Sequence, residues 1–406
     1  MKALGPIPPG FEADAEGRLL IGGWDAETLV GEAGGTPLFV YDSRQIADQV
    51  SRFRACFPAE VALHYAVKAN PYAPLLEAMS NMVDGFDTAS AGELGKVAHL
   101  GLPISFAGPG KRDQELETAF RAGVTVNLES EGEAERALAI SKREGLTPKL
   151  AVRINPPFGL KGSGQKMGGL PSQFGIDHEL APALVRRLLD AGADWQGLHI
   201  FAGSQALHAD ALIELQRDTV TLAASIADDA GHAPPHVNLG GGFGIPYFAK
   251  DAPLDVEAVG AALAKTLAER PKILADTKFS IELGRWLVGE AGVYLTRIVD
   301  RKESRGKTFL VTDGGLQHQL AASGNFGQLL RRNYPVAIAS RFRSEPEQEV
   351  TVTGCLCTPL DLLADEAMLP RAEVGDLVAI FCAGAYGLTS SPTSFLSQPM
   401  AREMLV

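Results

Sequence analysis

The segment LHYAVKANP (residues 63–71) contains the first of eight short, apolar, strand-like runs between residues 60 and 290. Stretches in which apolar residues recur at helical spacing separate these runs, for example residues 129–145 and 180–192. Alternation of this kind is more typical of a (β/α)8 barrel than of an open doubly wound sheet. The runs are LHYAV (63–67), VDGFDT (83–88), ISFAG (104–108), TVNLE (125–129), LAVRI (150–154), GLHIFA (197–202), HVNLG (236–240) and FSIEL (279–283).

Both ends of the chain instead alternate apolar and polar residues in the period of a β-strand. These segments are RLLIGG (18–23), TPLFVYD (36–42) and, after residue 290, GVYLTRIVD, KTFLVTDGG, QEVTVTGCLC and DLVAIFC. We expect the two N-terminal segments to pair with the later strands. The sequence therefore predicts an α/β protein: a (β/α)8 TIM-type barrel over residues 36–290, and a mainly β C-terminal domain over residues 291–406 that residues 1–35 complete.

Composition excludes several classes of protein. The 406 residues carry a formal net charge of −12, which argues against binding nucleic acid through a global positive field. No uncharged apolar run approaches the roughly 18 to 20 residues that span a bilayer, and the N-terminal residues lack the apolar core of a secretion signal. We therefore expect a cytoplasmic protein without a nucleic-acid or membrane partner. The cysteines form neither a disulfide framework nor a zinc-binding pattern.

Residues that can bind ligands or take part in catalysis follow the predicted barrel strands, where the active sites of such barrels lie. Lys68 directly follows the first run, Asp87 lies at the end of the second, and Arg153 lies at the end of the fifth. Gly203-Ser204-Gln205 comes at the end of the sixth run, Gly240-Gly241-Gly242 at the end of the seventh and Glu282-Leu283-Gly284-Arg285 at the end of the eighth. A lysine, two acids, two arginines and a glycine-rich turn are therefore expected to converge on one mouth of the barrel.

These groups have a common use in the chemistry of pyridoxal 5'-phosphate. Backbone N–H groups of a glycine turn can approach a phosphate, with Arg285 and the Ser204 hydroxyl as further donors. A lysine can form a Schiff base, and a carboxylate facing the pyridine nitrogen keeps that nitrogen protonated. Each feature alone also has an ordinary structural explanation, and Arg153 and Glu282 could simply form an ion pair. Their ordered placement at successive strand ends favours the functional interpretation.

Seven motifs, in order along nearly the whole chain, resemble those of the alanine-racemase-fold (fold type III) decarboxylases that depend on pyridoxal phosphate. This family includes the diaminopimelate, ornithine and arginine decarboxylases. The resemblance implies a barrel plus a β domain, and a homodimer with shared active sites at its interface. The motifs are HYAVKANP, FDTASAGEL, HIFAGSQ, NLGGGFGIPY, ELGR, GCLCTPLD and CAGAYG.

Carried over position by position, the resemblance implies a role for each matching residue. Lys68 would hold the cofactor as a Schiff base, and Glu282 would pair with its ring nitrogen. Cys357 would come from the partner subunit and reprotonate the carbanion left at Cα when carbon dioxide departs. The other cofactor contacts implied are Asp87, Arg153, Phe201, Ser204, Gly241, Gly242, Gly284, Arg285 and Tyr386, and the substrate contacts are Arg285, Thr358, Asp361 and Tyr386.

Three departures from the family pattern bear on the substrate. Phe201 replaces the histidine that stacks on the cofactor ring, and His199, two residues earlier, is expected to be a hydrogen-bonded core histidine. Thr358 replaces an acidic residue that meets the distal amino group of basic substrates. Ala321 and Asn325 replace the arginine and tyrosine with which diaminopimelate decarboxylases bind the distal carboxylate. A buried charge without a partner is costly, so the sequence predicts a substrate with a neutral or masked far end.

The motif CTPLD and the loop LKGSGQKMGG resemble a smaller branch of the family. That branch includes decarboxylases of glutamyl groups held on an acyl carrier protein, and decarboxylases associated with exosortase systems. We therefore predict an amino-acid α-decarboxylase, with an acyl carrier protein as its possible partner and with Lys161 and Lys166 beside the substrate entrance. The alternatives are diaminopimelate decarboxylase itself, an amino-acid racemase on the same fold, and a non-catalytic regulator related to decarboxylases.

Overall fold

The computed structural model describes residues 1–162, 164–328 and 330–406, apart from the side chains of residues 165 and 166. The chain divides into two compact units. The β unit consists of Met1–Gln49, Ile245–Ala252 and Arg285–Val406, and the barrel unit consists of Val50–Gly244 and Pro253–Gly284. The β unit includes the strand within TPLFVYD and the start of the next helix, so the barrel unit begins after position 36. The β unit also begins again at Arg285, so the barrel unit ends before position 290.

The N-terminal elements belong largely to the β unit. They are β1 (Glu12–Ala13), β2 (Leu19–Ile21), β3 (Trp24–Asp25), α1 (Ala26–Ala33), β4 (Leu38–Tyr41) and α2 (Ser43–Cys56). As expected for TPLFVYD, β4 pairs with later residues, Gly292–Leu295. The same expectation for RLLIGG was wrong, because β2 forms a small separate sheet with β1 and β3. Gly22 and Gly23 both have positive φ and turn the chain back at once, so that β3 satisfies the hydrogen bonds of β2.

The barrel unit contains eight parallel strands that form a closed sheet in the part of the chain that the structure describes. Each barrel strand pairs with the next, and β15 pairs with β5 to complete the ring. The strands are β5 (Val61–Ala66), β6 (Gly85–Thr88), β7 (Ile104–Phe106), β8 (Thr125–Leu128), β9 (Lys149–Asn155), β12 (Asp194–Ile200), β14 (His236–Asn238) and β15 (Lys278–Leu283), with the short β10 (Gln165–Lys166), β11 (Ile176–Asp177) and β13 (Gly203–Ser204) outside the ring. The predicted (β/α)8 barrel is confirmed.

Helices connect the barrel strands. They are α3 (Ala73–Ser80), α4 (Ala91–Val97), α5 (Asp113–Arg121), α6 (Glu131–Glu144), α7 (Ala181–Asp190), α8 (Ala209–Ala230) and α9 (Val256–Ala268). Ser90 begins α4 and Ser130 begins α6, and each hydroxyl accepts the N–H of the glutamate three residues later. These caps hold the short loops that follow β6 and β8. Among the described helices, none has the length and apolar character needed to cross a bilayer.

The long connection between β9 and α7 is held at two points. β10 pairs antiparallel with β13, and β11 returns beside the end of β9. Gly175, just before β11, has a φ of +73°, and a Cβ there would lie 2.7 Å from the backbone nitrogen of Asn155. Within this connection Lys161 is exposed and forms an ion pair with Glu214 at 2.7 Å. The predicted place of the Lys166 side chain lies outside the described residues.

The remainder of the β unit is mainly β, as predicted. Its elements are α10 (Arg285–Val288), β16 (Gly292–Ser304), β17 (Lys307–Thr312), β18 (Val336–Ile338), β19 (Gln348–Thr353), β20 (Leu362–Leu369), β21 (Leu377–Ile380) and β22 (Arg402–Leu405). The sheet has the order β18-β21-β16-β17-β19-β20, with β4 beside β16 and β22 beside β4. Its core includes Leu38, Leu295 and Leu377, and the side chains of Leu19 and Ile21 pack into the same cluster.

Candidate active site

Lys68 lies in a 3-10 turn, Val67–Ala69, directly after β5. Its neighbours in the turn are buried, whereas Lys68 itself is exposed. The Lys68 Nζ lies 5.3 Å from the centroid of the Phe201 ring. A Cβ at Gly284 would lie 2.6 Å from the Cβ of Ala69, so glycine is needed for the end of β15 to pass this close to the lysine turn. The structure thus brings Lys68, Phe201 and Gly284 to one end of the barrel.

Glu282 is a buried carboxylate that the barrel keeps ionised. Its Oε2 lies 3.0 Å from Nε2 of His199 and accepts a hydrogen bond of 3.2 Å from Nδ2 of Asn238. Burial by itself would raise the pKa of Glu282, but His199, with smaller contributions from Lys68 and Arg153, lowers it to about 2. His199 is therefore a hydrogen-bonded core histidine, as expected, and its partner is the predicted ring-nitrogen carboxylate.

Arg153 forms its ion pair with a residue that the sequence analysis did not single out. Its Nη1 lies 2.8 Å from Oε1 of Glu129, and both side chains are buried. The same carboxylate accepts the backbone N–H groups of Gly108 and Gly175. The Arg153 guanidinium also lies 5.0 Å from the centroid of the Phe174 ring. The alternative that Arg153 pairs with Glu282 was wrong, since Glu129, at the C-terminal end of the neighbouring strand β8, is the acceptor.

The glycine turn after β14 packs tightly against its neighbours. Gly240 and Gly242 have φ values of +69° and +87°. A Cβ at Gly241 would lie 1.9 Å from the carbonyl oxygen of Glu282, and one at Gly242 would lie 2.5 Å from the carbonyl oxygen of Gly203. Close packing alone therefore requires glycine here. It also places the turn directly beside Gly203-Ser204, so the predicted phosphate-binding residues of the barrel lie together.

Asp87 lies in β6 with its side chain only 10% exposed. Its Oδ2 is 3.6 Å from Nδ1 of His64, which lies on the adjacent strand β5. His64 was quoted within a motif in the sequence analysis but received no role. The structure places a buried histidine beside the predicted cofactor contact Asp87.

In the β unit, Arg285 lies between two aromatic rings. Its guanidinium is 5.5 Å from the centroid of Tyr247 and 4.7 Å from that of Tyr386, and Nη1 donates a 2.7 Å hydrogen bond to the Tyr247 hydroxyl. Burial raises the pKa of Tyr247 to about 12, so its hydroxyl stays protonated. The buried Nε of Arg285 has no hydrogen-bond partner among the described residues. This unused N–H suits an anionic ligand.

The loop between β19 and β20 carries Cys357 and Thr358. Cys357 is exposed, whereas Asp361 is only 2% exposed. Asp361 Oδ1 accepts the backbone N–H of Leu316 at 2.7 Å, and its Oδ2 accepts that of Leu356 at 2.9 Å. Asp361 thus joins this loop to the segment after β17. Asp361 therefore holds the loop, and its predicted contact with the substrate stays a prediction.

Ala321 and Asn325 stand where diaminopimelate decarboxylases are expected to bind the distal carboxylate of their substrate, and the described polar groups of this segment bind neighbouring protein atoms. Ala321 is buried, and the Asn325 amide donates to Ser323 and to the carbonyl oxygen of Leu360. The guanidinium of Arg331 binds two backbone carbonyl oxygens, those of Ser323 and Leu362. These polar groups therefore hold the segment and the β19–β20 loop together.

Comparison with known proteins identifies the family. Residues 43–289 match the family model for the pyridoxal binding domain of pyridoxal-dependent decarboxylases. The chain belongs to this family. It is a pyridoxal-phosphate-dependent amino-acid decarboxylase, and the matched range contains Lys68, Asp87, Glu282 and the glycine turn.

Three relatives of this decarboxylase illustrate its range of similarity. An L-glutamyl-[BtrI acyl-carrier protein] decarboxylase from Niallia circulans is 35% identical over 91% of this chain and 88% of the relative. A diaminopimelate decarboxylase from Methanothermobacter thermautotrophicus is 31% identical over 98% of this chain and 92% of the relative. A crystal structure of M. jannaschii diaminopimelate decarboxylase in complex with L-lysine superposes with a TM-score of 0.87, at 26% identity, covering 98% of this chain and 93% of that one.

The residues in place fit the cofactor of this family. The ionised, buried Glu282 suits a protonated ring nitrogen, and the unused Nε of Arg285 suits an anion such as a phosphate. Lys68 is an exposed amine at the same end of the barrel as Phe201. The fit therefore rests on the donors and acceptors of this chain as well as on its family.

Sequence reasoning missed three residues of these clusters. Glu129 ends the fourth quoted run and Tyr247 ends the motif NLGGGFGIPY, so a stricter inspection of run ends would have found both. His64 lies four residues before Lys68 within a quoted motif. No sequence signal pairs it with Asp87, because the register between β5 and β6 decides which of their side chains meet.

Proposed function

We propose that this decarboxylase removes the α-carboxylate of an amino acid whose far end is neutral or masked. A glutamyl group carried as a thioester on an acyl carrier protein is the substrate that we favour. The observation that carries this proposal is the absence of a charged side chain at the three positions that would meet the far end, Thr358, Ala321 and Asn325. A charged far end would be left unpaired in a desolvated site, which is costly.

The contacts of the described residues support this proposal. Thr358 accepts the backbone N–H of Leu360 at 3.3 Å, and Asn325 is bonded to Ser323 and Leu360. Arg331 is already bound to two carbonyl oxygens, so it is not available as a substitute for the missing arginine. The 35% identity to a relative named for a glutamyl group on a carrier protein points in the same direction.

We infer the following roles in the reaction. When bound, pyridoxal phosphate supplies the electron sink that accepts the electron pair released as carbon dioxide leaves. Lys68 would hold the cofactor through its amine, and Glu282, as a carboxylate, would keep a proton on the ring nitrogen. Arg285 would bind the phosphate, and the Phe201 side chain would pack against the ring. Cys357, contributed by the partner subunit of a homodimer, delivers a proton from Sγ to Cα.

The test is an assay of carbon dioxide release with three substrates at equal concentration: glutamyl-loaded carrier protein, free glutamate and meso-diaminopimelate. Lys68→Ala provides the background rate for each. We expect the carrier-bound substrate to give a kcat/KM at least about a hundredfold above that of diaminopimelate, because two charge-assisted contacts of about 1.5 to 3 kcal/mol each are missing for the latter. Efficient turnover of diaminopimelate would overturn the proposal.

Diaminopimelate decarboxylation is the second candidate. It is favoured by the 31% identity to a relative of that name over 98% of this chain. The replacements at Thr358 and Ala321 oppose it. The same three-substrate assay decides between the two activities.

A further inference from the structure

The interior of the barrel carries an unusual polar group that the proposed reaction does not use. Interior positions of (β/α)8 barrels are normally filled by large aliphatic side chains. Here His64 of β5 points toward β6, where a Cβ at Gly85 would lie 2.9 Å from its Nε2. Glycine at position 85 therefore makes room for the imidazole, and the imidazole reaches Asp87.

The side chains of His64 and Asp87 face each other across the two strands. His64 Nδ1 and Asp87 Oδ2 are 3.6 Å apart, with side-chain exposures of 13% and 10%. Neither of these two atoms has a hydrogen-bond partner among the described residues. A buried polar atom without a partner is costly, so each has reason to interact with the other.

Water can reach His64 from the end of the barrel opposite to Lys68. A cavity of about 340 Å³ is lined by residues at the N-terminal ends of strands, such as His236, and extends to His64 and Asn238. Its rim contains the exposed residues Glu60 and Lys278. The His64 ring stacks on that of His236, with centroids 6.1 Å apart and an angle of 15° between the ring planes. His64 can therefore exchange its proton with solvent without passing the cofactor end.

The charges around His64 favour its cationic form. The groups that face it are Asp87 of β6, Asp84 just before β6, Glu282 of β15 and His236 of β14. Burial by itself lowers the pKa of His64, but Asp87, Glu282 and Asp84 together raise it above its ordinary value. Burial, with His64 and His199, lowers the pKa of His236 to about 3, so His236 stays neutral.

We propose that His64 is a positioning residue inside the barrel, whose imidazole faces the carboxylate of Asp87 and orients it for its contact with the cofactor. The inference rests on the proposed role of Asp87 as a cofactor contact, and it does not depend on which amino acid is decarboxylated. Asp87 is the group that acts on the cofactor, and His64 acts through Asp87.

The first experiment measures the titration of His64 directly. Histidine labelled with ¹³C at Cε1 is incorporated into the wild type and into Asp87→Asn, and the His64 signal is assigned by its loss in His64→Gln. We expect the midpoint of His64 to fall by at least about one pH unit in Asp87→Asn, because an opposite charge at this distance shifts a pKa by roughly 1 to 3 units. The exposed His232 is the internal control and should not move. An unchanged midpoint for His64 would overturn the proposal.

The second experiment measures the dissociation constant of pyridoxal phosphate by titrating the apoprotein. We expect His64→Gln to weaken binding about tenfold, and His236→Gln, which alters the same cavity without touching Asp87, to change it less than twofold. Equal effects of the two variants would overturn the proposal by showing a general packing role. Should His64→Gln fail to fold, the Asp87→Asn titration still decides, with the His64 signal assigned through its contacts to His236. Failure of carbon dioxide release from every substrate tried, including the carrier-bound glutamyl group, would refute the proposed function and leave both measurements interpretable.

Discussion

The barrel carboxylate Glu282 and the β-unit cysteine Cys357 differ in how far the chain itself completes their surroundings. Glu282 is buried, and His199 and Asn238 both contact its Oε2. Cys357 is exposed, and Asp361 fixes its loop by accepting two backbone N–H groups. The barrel alone thus preorganises Glu282, whereas the described residues of this chain leave Cys357, the proposed proton donor, open to solvent.

The largest expected effect tests the preorganised side of this comparison. Lys68→Ala should remove the visible absorbance of bound cofactor and lower kcat by at least about 10³-fold, because both covalent attachment and a proton-transferring group are lost. Absorbance spectra and carbon dioxide release measure this, and circular dichroism checks that the fold is intact. A variant that keeps the cofactor absorbance would refute the assignment of Lys68.

The next largest effect tests Cys357, the exposed residue of the comparison. Cys357→Ala should lower kcat by about 10²-fold, since it removes one positioned general acid. Cys357→Ser, which replaces the thiol with a smaller hydroxyl that can still donate a proton, is the matched control and should lose less. Mixing Cys357→Ala with Lys68→Ala should restore part of the activity if each site combines residues of two subunits. No recovery on mixing would count against a shared site and against the proposed homodimer.

Substitutions at the positions proposed to face the far end of the substrate should give a smaller effect. Restoring both missing charges, Thr358→Glu with Ala321→Arg, should raise kcat/KM for diaminopimelate at least about tenfold, the value of one charge-assisted hydrogen bond. Each single substitution should give less than the pair. Steady-state kinetics with diaminopimelate measures this, and a decrease in the double variant would show that these positions do not face the far end of the substrate.

The smallest effect concerns stability and returns to Glu282. Because its pKa is lowered to about 2, the ionised carboxylate contributes stability that is complete above its ordinary value of 4.5 and is lost as the pH falls toward 2. In Glu282→Gln this contribution is absent. The free energy of unfolding should therefore fall more steeply between pH 5 and 3 (roughly the range of this titration) in the wild type than in the variant. Parallel curves from denaturant unfolding would contradict the ionised state assigned to Glu282.

Much of the fold could be predicted because its signals are local. Barrel runs such as TVNLE are short apolar segments, and helices follow them, some of which begin at a side-chain cap, as at Ser130. RLLIGG shows the limit of this reasoning. Its strand pattern is real, but the positive φ values of Gly22 and Gly23 decide that its partner is the next segment and not the large sheet.

The sequence by itself determined the family and the barrel and predicted the chemistry at the strand ends, because motif residues such as Lys68 and Glu282 are fixed by their place in or directly after a strand. Only the tertiary structure decided which groups come together: Arg153 and Glu282 are hydrogen-bonded to Glu129 and His199, respectively, and His64 faces Asp87 at 3.6 Å. The physical reason is that these pairs join different strands of a closed sheet, and their partners lie between 23 and 83 residues apart in sequence. The register between neighbouring strands, which no local pattern encodes, sets those distances.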